Sequence, residues 1–173
     1  MPRRLSLALV VLLAFGTATV VSPTLFARDP AKKFKGQIIV SKKRFPSRFK
    51  SDHAMIHHMK HVNTHELTAH GDKDWEFEYM AFLPKPVATL QAAVTFYDVT
   101  VPGTQKLVDT FTFYPADRKD KILNGHARLP ADKFRPDRKY LMVFSRGYGQ
   151  RALAKTLIVL RRKGGKKKSK DNG

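Results

Sequence analysis

The chain has no cysteine among its 173 residues. That absence excludes a disulfide framework and thiol chemistry, and it removes the cysteine that a bacterial lipoprotein needs at its processing site. Acidic residues are scarce: 14 Asp and Glu stand against 33 Lys and Arg, a formal net charge of +19. Tryptophan occurs once, at Trp75. No glycine-rich phosphate loop follows a strand-like run, and Ser145 before Arg146-Gly147 lacks the surroundings of a nucleophile elbow. Asp98, Asp109, Asp117 and Asp120 are scattered among expected strand ends and loops, where carboxylates are ordinarily solvated. One motif comes near and fails. His65-Glu66-Leu67-Thr68-Ala69-His70 has three residues between Glu66 and His70, where the helical zinc-protease motif has two. On a helix that spacing sets the histidines about 140° apart, so they cannot share a metal as that motif requires.

What is present begins with a leader. Met1-Pro2-Arg3-Arg4 precedes an apolar run from Leu5 to Val21, then Pro23 and Leu25-Phe26-Ala27. This is the layout of a secretory signal peptide covering residues 1–27; an uncleaved membrane anchor is the alternative. The expected destination is the periplasm or the extracellular space, and freedom from cysteine fits a bacterial envelope. Residues 28–35 form a basic lead. Apolar residues make up 42% of the chain, enough for one domain with a core, expected over residues 36–160. Arg161 to Gly173 has no apolar residue and is expected to be a disordered tail. It carries +6 and the leader +2, which leaves +11 on the residues between them.

The fold reading starts at Trp75-Glu-Phe-Glu-Tyr-Met-Ala-Phe-Leu83, whose apolar and acidic residues alternate before both faces turn apolar at Met80. It predicts a strand half exposed at its start and buried on both faces at its end. Further strands are expected at Gly36–Ser41, Leu90–Val99, Leu107–Tyr114, Tyr140–Ser145 and Ala152–Leu160, and a short one at Glu66–Ala69. Leu90, Ala92, Val94 and Phe96 should share one face, as should Leu107, Phe111 and Phe113. Pro102-Gly103 signals a type II turn, and Asn124-Gly125 a tight hairpin turn. Ser51 to His65 reads as a short amphipathic helix with Met55, Met59 and Val62 on its apolar stripe. The expected whole is mainly β: a single antiparallel β-sandwich of immunoglobulin-like type, with one short N-terminal helix. Tyr140, at the head of a late strand, resembles the corner tyrosine of such sandwiches.

Two features suggest function. Six of the seven histidines fall between His53 and His70. His53, His57 and His61 are one helical turn apart, a spacing that can hold zinc, copper or nickel, with His65, Asp52 or Glu66 as a further ligand. The same cluster could gain charge as pH falls from neutral to mildly acidic. Second, Arg28 to His70 holds ten Lys and Arg against three acids. Lys42, Lys43, Arg44, Arg48 and Lys50 surround Phe45 and Phe49, aromatics that could stack on bases or enter an interface. Arg161, Arg162, Lys163, Lys166, Lys167 and Lys168 add a second cationic run. These point to an exported, non-enzymatic binding or structural protein contacting an anionic envelope polymer, a membrane surface or another envelope protein. No nucleic-acid recognition motif is present, and no cofactor is required. A metal-binding protein built on the histidine cluster is the alternative.

Overall fold

A computed structural model describes residues 29–164. Helix α1 (Pro30–Lys33) is followed by β1 (Gln37–Ser41), α2 (Asp52–Val62), β2 (Glu66–His70), β3 (Trp75–Phe82), β4 (Ala92–Asp98), β5 (Lys106–Phe113), β6 (Ile122–Leu129), β7 (Lys139–Ser145) and β8 (Ala152–Lys163). The protein is mainly β. The strands form one continuous mixed sheet in the order β5-β4-β7-β8-β1-β3-β6, with β2 paired to the far end of β8. Most neighbours are antiparallel, but β1 and β2 both run parallel to β8. The antiparallel pairing expected from the sequence holds for most neighbours and fails at these two. Parallel partners arise because β1 and β2 reach β8 from a long way off in the chain, without a hairpin to reverse direction.

The sheet curls around a main core that includes Trp75, Phe77, Phe96, Phe134, Tyr140, Phe144 and Ile158. β3 shows how the alternation works. Trp75, Phe77, Tyr79 and Ala81 point into that core, while Met80 and Phe82 point the other way. They meet Ile39 of β1, Phe34, and Ile56 and Met59 of α2 in a second, smaller core. Thus β3 is buried on both faces only where α2 covers it, and Glu76 stays exposed where it does not.

Local signals explain the helix. The Ser51 hydroxyl accepts from the Ala54 amide at 3.1 Å, capping α2, and Asn63 ends it. Ile56, absent from the expected stripe, is one of its two fully buried residues with Met59; Met55 and Val62 flank them half-buried. The lead contains α1, whose Asp29 side chain accepts from the Ala31 amide at 2.8 Å.

Three expectations fail for physical reasons. Asn124-Gly125 makes no turn, because β6 pairs with β3 without interruption from Ile122 to Leu129. Gly125 faces Tyr79, and a Cβ there would collide with the Tyr79 phenol; the glycine makes room for the ring. Leu90 precedes β4 and is 71% exposed. A β-bulge in the β4–β5 ladder turns Leu107 outward and Val108 toward the core, while Phe111 and Phe113 pack as expected. The turn at Gly103 (φ 78°) does form, with the Thr104 amide bonded to the Val101 carbonyl.

β8 runs three residues past Leu160, the boundary expected from composition. Its end is held by β2 through pairs from Glu66↔Val159 to His70↔Lys163. The Trp75 indole N–H donates to the Arg161 carbonyl at 2.8 Å, and the Arg162 guanidinium lies 4.4 Å from the centre of the Trp75 ring. The leader and the tail from residue 165 lie outside the described residues.

Candidate functional site

The loop between β1 and α2 carries the first cationic run. Lys42, Lys43, Arg44, Arg48 and Lys50 are all exposed, whereas Phe45 and Phe49 are half-buried against the second core. The two phenylalanines therefore pin the loop. They are largely engaged by the protein's own interior, and the cations between them are directed to solvent. Arg44 comes within 3.9 Å of Glu78 with a side chain 94% exposed, a contact worth little in water. Among the described residues, Lys42, Lys43, Arg48 and Lys50 make no ion pair. Beside the loop runs an open groove of about 560 Å³, floored by Met80 and bordered by Phe45, Phe49, Met55 and Asn124.

The second cationic run behaves differently. Arg161 bonds Asp137 at 2.8 Å and reaches Glu66 at 3.4 Å. Arg162 donates to the Gly71 carbonyl while stacking on Trp75. Both arginines are structural parts of β8. Lys163 is exposed at the strand end, and Lys166, Lys167 and Lys168 lie outside the described residues.

His53, His57 and His61 are exposed on one side of α2, next to Lys60. His58, on the adjacent side, packs against Phe49 with ring centres 5.5 Å apart, and its Nε2 is buried without a partner among the described residues. His65 lies outside the helix, where its Nδ1 donates to the Leu157 carbonyl at 3.0 Å. That bond ties His65 to β8 rather than to the other three imidazoles. Among the described residues no three histidine, aspartate or glutamate side chains converge to hold a metal.

The tightest electrostatics lie away from these clusters. Asp98 is 14% exposed. Burial pushes its carboxyl up, but bonds from the Thr100 hydroxyl and amide and from Arg138 prevail and hold it below the usual carboxylate range. Asp74 is lowered by the Ala131 amide first and by Arg128 second. The Tyr140 hydroxyl accepts from the Arg135 amide at 2.8 Å, and burial raises its phenol. Burial alone drives the Tyr79 phenol well above its ordinary value.

Sequence reasoning missed Tyr79 and Gly125 as a pair. The available signal was a glycine inside a strand, which marks a close approach as readily as a turn. No helix among the described residues is long and apolar enough to cross a membrane. No protein-family model matches the chain, and no curated protein or solved structure matches it significantly.

Proposed function

We propose that this is an exported, non-enzymatic binding or structural protein of the bacterial envelope, and that the loop Lys42–Lys50 is its contact with an anionic surface. The observation that carries this reading is the contrast in pairing: four of the five loop cations have no carboxylate partner among the described residues, whereas Arg128, Arg138 and Arg161 each have at least one. Cations held to solvent on a pinned loop attract anionic head groups or polymers at low ordering cost. We further propose that the curled sheet is an immunoglobulin-like sandwich. The strand order supports it, with β1 bridging a β3–β6 half and a β8–β7–β4–β5 half. So does the Tyr140 hydroxyl bonded back to Arg135 at the head of β7.

The test is co-sedimentation with phosphatidylglycerol-containing vesicles against phosphatidylcholine vesicles. Binding should be confined to the anionic vesicles and fall steeply with salt. Changing Lys42, Lys43, Arg44, Arg48 and Lys50 to Gln should weaken it more than about tenfold. Equal binding by the variant would overturn the assignment. Export is checked by N-terminal sequencing of the secreted protein, which should begin at Arg28.

A second reading is transition-metal capture by His53, His57 and His61, supported by their shared exposed side of α2. It requires stoichiometric zinc uptake, read by calorimetry, that is lost on His57→Ala.

A further inference from the structure

The sheet does not close. Its two end strands, β5 and β6, face one another across a cleft of about 340 Å³ lined by Tyr79, Val94, Phe111, Phe113, Gly125 and Ala127. Phe111 and Phe113 are half-exposed along one wall. The phenol ring of Tyr79 lies across Gly125, where any side chain would displace it. Tyr79 is only 3% exposed and lines the cleft, and its hydroxyl makes no hydrogen bond to another described residue. A hydroxyl on the wall of an apolar cleft is free to donate to a ligand that enters it.

We infer that this cleft binds a small neutral molecule with a flat or extended apolar body and one carbonyl-type acceptor, which the Tyr79 hydroxyl engages. Neutrality follows from the rim. Arg128 is held at 2.7 Å from Asp74 and 3.7 Å from Glu76, and His126 lies 3.3 Å from Glu78, so neither offers an uncompensated charge. The acceptor follows from the phenol, which burial keeps protonated and able to donate. The apolar body follows from the walls, where Phe113 stands 6.5 Å from the Tyr79 ring and 5.4 Å from Phe144. The volume is in the range of small-ligand sites. This inference is independent of the cationic loop, which lies beyond the outer face of β3.

The probe is 6-propionyl-2-dimethylaminonaphthalene, a neutral naphthalene with one ketone, whose emission moves to longer wavelength when that ketone is hydrogen-bonded. Titrated into the full chain, it should bind saturably. Tyr79→Phe keeps the ring and should raise the dissociation constant about fivefold, the worth of one hydrogen bond. Emission of the bound probe should shift to shorter wavelength in that variant. Near-ultraviolet circular dichroism verifies that the variant is folded. Absence of saturable binding to the native chain overturns the inference. So does an emission maximum unchanged by Tyr79→Phe, whatever the affinity, because the probe would then be seated elsewhere.

Discussion

The two cationic regions of this protein are alike in composition and opposite in use. Arg161 and Arg162, at the end of β8, are bonded to carboxylates, a carbonyl and an indole face. Lys42 to Lys50, between β1 and α2, point outward without carboxylates near enough to matter. The difference lies in the chain around them. β8 is flanked by β2, which supplies Glu66, and by the turn before β7, which supplies Asp137, so Arg161 meets an acid from each. The loop is fastened by two phenylalanines and by the Ser41 hydroxyl bonded to the Lys43 backbone, and among the described residues the acid it reaches is Glu78. Positive charge thus serves the fold in one place and is left available to a partner in the other.

This contrast can be broken most forcefully at the main core. Phe96→Ala removes a ring that is fully buried between Phe111 and Phe134 and should cost about 3–5 kcal/mol, read from the denaturant midpoint. Ile56→Ala, in the smaller core under the loop, should cost nearer about 2 kcal/mol, because α2 can settle into the gap. Equal losses would mean that the loop and α2 are as deeply built into the fold as the sheet.

A smaller effect is expected at the corner. Tyr140→Phe leaves the Arg135 amide without its acceptor and should cost about 0.5–1.5 kcal/mol by thermal unfolding. Next comes acid. The Asp98 carboxyl is held below its ordinary value in the folded protein, so its contribution is complete above about pH 4 and is lost as pH falls through the folded value. Asp98→Asn should flatten the acid limb of the stability curve and leave a neutral-to-mildly-acid plateau lower than the native one. A plateau and acid limb identical to those of the native protein would show that the Arg138 pair contributes nothing.

The smallest effect sharpens the comparison best. Changing Lys42, Lys43, Arg48 and Lys50 to Gln should move stability by less than about 0.5 kcal/mol per site. The paired Arg161, changed the same way, should destabilise measurably and loosen amide protection along β2. Equal effects at the two regions would erase the distinction.

Much was legible in the residues. The Trp75–Leu83 alternation identified β3, its inward residues and the burial of its second half. Ser51 and the methionine spacing located α2, and Pro102-Gly103 the β4–β5 turn. What could not be read depended on neighbours distant in sequence. Asn124-Gly125 has the composition of a turn, but Tyr79, 46 positions earlier, decides that Gly125 sits mid-strand under a ring. Arg161 looked like the start of a solvated tail until Glu66 and Asp137 came beside it. Leu107 matched the phenylalanines by period, and one bulged residue reversed it. The histidines were visible as a cluster, but their separation was not: His65 is turned to β8 by a carbonyl, and His58 to Phe49.

Local chemistry, by itself, determined which segments are extended, which one coils, and how much charge the chain must present to its surroundings. These follow from side-chain period, caps and turn residues, all of which act over a few positions. Only the tertiary structure decided that both β1 and β2 lie parallel to β8, that the ends of the sheet leave a phenol-floored cleft between them, and which arginines are neutralised. Those outcomes are set by pairings between strands far apart in the chain, where the packing of one face selects the partner and no short pattern records it.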